Sequence, residues 1–80
     1  MMKVQILGMG CPNCKKLKAN AKAAIEELSL NAEIVDVDNM DDIMEMGVLM
    51  TPALAIDGDV KSAGKVLTVA QVKGFLEGAA

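Results

Sequence analysis

The run Lys3-Val4-Gln5-Ile6-Leu7 is rich in β-branched residues and stops at Gly8 and Gly10, as a short strand does. From Pro12 onward the period changes. Leu17, Ala21, Ala24, Ile25 and Leu28 recur at the spacing of one helix face, which predicts a helix whose buried stripe they form. Pro12 suits its first position, where a missing N–H costs nothing. Lys22 and Glu26 stand four apart on the outer side and are placed to pair. The segment Ser29 to Asn31 ends this helix.

A second strand is expected at Glu33-Ile34-Val35-Asp36-Val37, with Val35 and Val37 on one face and Ile34 on the other. Asp38 or Asn39 then caps a short helix with acids in its first turn, where the helix dipole favours them. Ile43, Met44 and Met46 give that helix apolar content, the two methionines as fillers of core gaps. Gly47 fits the position just past its end. Beyond the break at Thr51-Pro52, Ala53-Leu54-Ala55-Ile56 and Val60-Lys61-Ser62-Ala63 flank Asp57-Gly58-Asp59, a strong hairpin signal. Gly64 bends or ends the second hairpin strand. Thr68-Val69-Ala70-Gln71 is a capping box, and Val69, Val72, Phe75, Leu76 and Ala79 form the apolar face of a last helix. Gly74 within that helix costs about 1 kcal/mol relative to alanine, so the helix depends on packing.

The order βαβαββα therefore predicts an α/β fold over residues 1–80 as a single domain. The first β-α-β demands a parallel pair with a right-handed crossover, and the hairpin adds an antiparallel pair. The result is a four-stranded mixed sheet with helices on both faces. The first and last helices share one face, and the short middle helix lies opposite.

Composition narrows the functions open to such a fold. The net charge is −3, every basic residue is Lys, and the chain has no Arg, Trp, Tyr or His. A nucleic-acid module needs a basic face and usually Arg or aromatic stacking, so nucleic acid is not an expected partner. His-dependent catalysis and His-containing zinc sites are excluded within the chain. No apolar run approaches the ~20 residues of a membrane span, and the N-terminus lacks a signal-peptide pattern. The expectation is a cytoplasmic monomer with no membrane partner. Charge is also uneven: Lys15, Lys16, Lys18 and Lys22 come with no acid among them, then Glu33, Asp36, Asp38, Asp41, Asp42 and Glu45 with no intervening base. Both groups suit solvated faces.

Both cysteines lie in Gly8-Met9-Gly10-Cys11-Pro12-Asn13-Cys14, between the first strand and the first helix. In a reducing compartment such a pair is redox-active or metal-binding more often than structural. Cys11 falls at the mouth of the helix, where unpaired N–H groups and the positive dipole end favour a thiolate. At a pKa of about 8.5 only ~3% of a thiol is ionised at pH 7, and a shift to about 7, worth roughly 2 kcal/mol, makes that half. Pro12 sets this geometry. Lys15 and Lys16 oppose the helix dipole, yet their charge favours the thiolate, and Lys15 is the better placed of the two. Cys14 follows one turn later, within reach of a disulfide to Cys11. So short a loop predicts only about 2 kcal/mol of stabilisation, which suits a bond made and broken in a working cycle. In such a cycle Cys11 attacks a substrate disulfide and Cys14, facing inward, resolves the mixed disulfide.

Cys11-Pro12-Asn13-Cys14 together with Met50-Thr51-Pro52-Ala53-Leu54 resembles the thioredoxin/glutaredoxin superfamily, and above all its very small redox-active disulfide proteins. The resemblance extends over nearly the whole chain. It implies a thioredoxin-like fold and an enzyme, a protein-disulfide reductase or electron carrier. Its catalytic residues would be Cys11 as nucleophile and Cys14 as resolver, with no cofactor beyond their redox-active disulfide and no metal. It further implies a cis bond before Pro52, so that Thr51 presents its backbone to an extended peptide in the manner of strand addition. Met9 and Gly10 stand where thioredoxins commonly carry tryptophan. With Met50, Met9 offers a soft apolar rim to disulfide-containing protein substrates. The Gly-Gly-x-Asp with which glutaredoxins bind glutathione is absent after the hairpin, where Ser62-Ala63-Gly64-Lys65 stands. The implied electron donor is therefore a thioredoxin-reductase-like flavoprotein. Gln5, on the first strand, cannot serve as the acid that assists the resolving cysteine in thioredoxins. A competing pattern is Met9-x-Cys11-x-x-Cys14, the soft-metal motif of small copper-chaperone domains that would suit Cu(I). Those domains run βαββαβ, so topology separates the two readings.

Overall fold

The computed structural model describes residues 2–10 and 12–79. The alternating pattern at the N-terminus forms strand β1 (Met2–Leu7), and the helical stripe forms α1 (Pro12–Leu28). Strand β2 (Ala32–Val37), helix α2 (Met40–Glu45), strands β3 (Ala53–Ile56) and β4 (Asp59–Ala63) and helix α3 (Val69–Ala79) follow in the expected order. The strands make one mixed sheet in the order β2-β1-β3-β4, with β2 parallel to β1 and β3 antiparallel to both of its neighbours. Helix α2 between β2 and β3 distinguishes this order from the βαββαβ of copper-chaperone domains.

Local chemistry sets the element ends. Ser29 adopts φ +51° and stops α1. The Asn39 side chain caps α2 by accepting from Asp41 N–H at 2.9 Å, and Gly47 follows with φ +80°. Asp57 and Gly58, at φ +51° and +86°, form the two-residue turn that matches strand twist, so β4 already begins at Asp59. The turn is tied back to the sheet. Lys3 N–H donates to the Asp57 carboxylate at 2.8 Å, and Gly58 N–H donates to Gln5 Oε1 at 2.7 Å. Lys61 is the extra residue of a bulge in edge strand β4, a charge that discourages further pairing. The capping box at α3 closes in both directions, Gln71 N–H to Thr68 Oγ1 and Thr68 N–H to Gln71 Oε1.

Two cores sandwich the sheet. Val4, Ile6, Leu54 and Ile56 face Leu17, Ala21 and Ala24 of α1 and Val72 and Leu76 of α3. Each fully buried Leu or Val there contributes about 1.5–3 kcal/mol relative to exposure. On the other face Leu7, Ala53 and Ala55 meet Ile43 of α2 and Val48. The small alanines leave room for only this short helix.

Three side chains depart from the pattern. Lys22 and Glu26 make no ion pair; instead Lys18 reaches across to Asp36 of β2 at 2.7 Å. Met44 does not fill the core but is 59% exposed, because Ile43 and Val48 already occupy the space under α2. Met46 packs partly buried against that core, as a gap filler should. Gly74 is exposed, and a methyl group there meets open space. Gly74→Ala is therefore expected to raise stability by about 1 kcal/mol, measured as a shift of the denaturant midpoint at unchanged slope. An unchanged midpoint would show that backbone freedom at this position is not limiting.

Candidate active site

The site is assembled where three chain segments meet at the C-terminal end of β1. After Leu7 the chain turns through Gly8, Met9 and Gly10, the last at φ +81°, and enters α1 at Pro12. Cys14 is the third residue of α1, points inward and is 5% exposed. Its sulfur is held in a disulfide. Cys11, the chain's other cysteine, lies outside the described residues.

Gly8 is what makes room for the Cys14 sulfur. A Cβ at Gly8 would fall on Cys14 Sγ, 3.1 Å from Cys14 Cβ and 4.0 Å from Thr51 Cβ. Gly8 cannot withdraw, since its N–H donates to Val37 O at 2.9 Å and extends the β1–β2 ladder by one rung. The start of α1, the end of β1 and the loop before β3 are thereby held in contact by one absent side chain. Gly8 reads in the sequence only as a strand stop. Its place three residues before Cys11 is the signal that could have marked it.

The Thr51–Pro52 peptide bond is cis, with Thr51 exposed and Pro52 buried. Pro52 O accepts from Gly64 N–H at 2.9 Å, anchoring the loop to the end of β4. Met50 lies against Gly64: a Cβ there would stand 3.2 Å from Met50 Cβ and 3.3 Å from its Cε. The backbone at Gly64, with φ +75°, reinforces the demand for glycine. Met50 thus covers the end of β4, whereas Met9 borders the space beside Cys14.

Met9 in fact separates two grooves. The first, about 350 Å³, is lined by Cys14 with Gly8, Gly10, Lys15, Lys18, Asp36 and Asp38 among its walls. The Lys18–Asp36 pair spans it with both partners about half exposed, a geometry worth less than ~1 kcal/mol. The pair leaves Lys15 as the lysine in that groove outside every ion pair among the described residues. The second groove, about 300 Å³, is apolar and includes Thr51, Met40, Met44 and Leu49. Met40, Met44 and Leu49 carry no functional signal in the sequence, because an exposed apolar side chain and a core one look alike in a string of letters. Pro12 begins α1 as expected, directly after Cys11 in the chain. Among the described residues, no three His, Cys, Asp or Glu side chains gather to hold a metal ion. No helix among them is long and apolar enough to cross a membrane.

Comparison with known proteins gives a consistent picture. A family model described as thioredoxin domain matches residues 2–77. A thioredoxin of Methanothermobacter thermautotrophicus is 43% identical over 76 residues, covering 95% of this chain and 99% of that protein. A thioredoxin of Methanocaldococcus jannaschii is 39% identical over 82 residues, covering 98% and 94% respectively.

Proposed function

Because this chain belongs to the thioredoxin domain family, a family of thiol–disulfide oxidoreductases, we propose that it reduces protein disulfides with Cys11 and Cys14 as its dithiol couple. The reading rests on the Cys14 sulfur, which is buried against Gly8, beside Thr51, and disulfide-bonded. A sulfur so placed cannot meet a large substrate first but can attack a neighbouring sulfur. The Cys11 thiolate attacks one sulfur of the substrate disulfide and expels the other as a thiolate, which takes up a proton. The Cys14 thiol, losing its proton, then attacks Cys11 Sγ. This expels the second substrate thiol and closes the Cys11–Cys14 disulfide. Two electrons and two protons have passed to the substrate. A thioredoxin-reductase-like flavoprotein returns the same number to the protein.

Each further residue has a part in this scheme. Pro12 starts the helix whose N–H groups favour a thiolate just before it, and Lys15 adds a positive charge to the groove. Met9, Gly10, Thr51 and Pro52 bound the approach to the sulfur, and Thr51 offers backbone groups to an extended substrate. Met50 holds that loop against Gly64 and contributes exposed apolar surface. The setting is the cytoplasm, where a lone CxxC is kept reduced.

The test is the rate of alkylation against pH in Cys14→Ser. A Cys11 pKa below the free value of about 8.5 is expected, and one at or above it defeats the assignment of Cys11 as the nucleophile. Reactivity should rise as pH passes upward through that pKa, because the thiolate is the reacting form.

A further inference from the structure

The sheet ends on β4 at one side and on β2 at the other, and the two edges are not alike. Strand β4 is guarded by the Lys61 bulge, which spoils the ladder for a further strand. Strand β2 has neither lysine nor proline, and it pairs with β1 in unbroken register from Ala32 to Val37. Its backbone groups alternate between two sides. Asn31 O and Val37 O accept from Met2 and Gly8 N–H, so the odd-numbered residues turn toward β1. The N–H and C=O groups of Ala32, Ile34 and Asp36 therefore point outward. Among the described residues, no backbone bond takes them.

The side chains of the same three residues lie on the α1 face. Ala32 and Ile34 are only partly buried there, and Asp36 holds Lys18 at 2.7 Å. Between this edge and α1 runs a groove of about 370 Å³, with Ile25 in its floor and Lys18, Lys22 and Glu26 along its rim. Those three charges stand one helical turn apart in a row, and a turn of helix advances about as far as two residues of strand. With Lys18 level with Asp36, Lys22 falls near Ile34 and Glu26 near Ala32. Glu26 and Lys22 join no ion pair among the described residues. The rim thus begins with a cation and ends with an anion. Its complement is the same rim turned end for end, which a second copy of the chain supplies.

We propose that β2 is the seam of a reversible dimer, in which two copies add their β2 strands antiparallel about Ile34 to make one continuous sheet. A two-fold axis through the seam puts α1 of both copies on the same face. Ile34 then faces the partner's Ile34, and Ala32 faces the partner's Asp36. Every outward N–H and C=O of the strand finds a partner in that register. Lys18 meets the partner's Glu26 at each end, and Glu33 falls opposite the partner's Val35. Centring on Glu33 or on Asp36 would instead set like charges face to face. Centring on Val35 would place Ala32 against the partner's Asp38, beyond the strand. Strand β1 separates β2 from β3, so the seam leaves the Thr51–Pro52 loop uncovered. The dimer goes beyond the disulfide-reductase reading and does not depend on it. A sequence suggests a monomer here because no local signal says which strand will be left at an edge.

The test is sedimentation velocity of the oxidised protein, followed by interference because the chain has no Trp or Tyr. The weight-average mass is expected to rise between roughly 20 µM and 1 mM, as a small interface with a dissociation constant on the order of 0.1 mM requires. Over that range, hydrogen exchange at the Ala32, Ile34 and Asp36 amides should slow by roughly fourfold, with the Lys61 amide on the other edge unchanged. Glu26→Lys, at an exposed position, sets lysine against the partner's Lys18 and should raise the dissociation constant roughly tenfold. Glu77→Lys makes the same change of net charge on α3, away from the seam, and should not weaken association. Circular dichroism checks that both variants fold. A monomer at every concentration overturns the proposal, including one whose edge takes up an added peptide. So does association that leaves the three β2 amides unslowed, an equal effect of Glu26→Lys and Glu77→Lys, or a dimer that a reducing agent dissolves.

Discussion

Cys14→Ser is expected to stop after one encounter, keeping its substrate attached through a mixed disulfide. Serine in the same buried place has a hydroxyl far too weakly acidic to attack the Cys11 sulfur, so the second displacement cannot occur. With a protein disulfide in excess and no added small thiol, mass spectrometry should find one substrate chain bound per protein. Cys11→Ser removes the first displacement instead and should leave no adduct. In both variants multiple turnover is expected to fall by more than about 10³-fold. Because Cys14 is fully packed against Gly8 while its replacement is slightly smaller, the fold should survive. Circular dichroism on the same samples checks that. Sustained turnover by either variant would sink the division of roles between the two sulfurs.

Gly8→Ala is expected to act on the sulfur without touching its chemistry. The new methyl group would clash with Cys14 Sγ, and neither side yields easily. Gly8 is fixed by its bond to Val37 O, and Cys14 is fixed on the first turn of α1. Overpacking of this kind costs about 1–3 kcal/mol. The oxidised form should bear more of the cost, because a reduced thiol can rotate about its Cα–Cβ bond while a sulfur in a disulfide cannot. The couple therefore becomes more oxidising, by up to about 60 mV on the two-electron scale if the oxidised form bears the whole cost. Thermal unfolding of the oxidised variant should fall further than that of the reduced variant, and a redox titration read by thiol labelling should show the rise. Unchanged potential and unchanged melting in both states would mean that Gly8 is merely a convenient turn residue.

Much of this architecture could be read from the string of residues. The change from strand to helix period at Pro12, the Asp57-Gly58 turn, the Asn39 cap and the Thr68–Gln71 box all involve neighbours within four positions. Such signals are local, and they place every element within a residue or so of its observed ends. The assignment of faces followed as well, since Ile34 joins the core under α1 and α3 while Val37 joins the core under α2. The candidate site was half legible. Cys14, Thr51 and Pro52 carry their chemistry in their names and spacing, whereas Lys18, Met44 and Met50 do not reveal where a long flexible side chain will settle.

By itself, then, the sequence determined the order of elements, the two-sided sheet and the location of sulfur beside a helix start, because these depend on periodicity and turn chemistry within short stretches. Tertiary structure alone decided that Gly8 yields its space to Cys14, that Lys18 meets Asp36, that Gln5 holds the Gly58 turn and that Met40, Met44 and Leu49 enclose an open groove with Met9. Each of those pairings joins residues from different elements. Their distances are set by strand register and helix docking, quantities that no window along the chain contains.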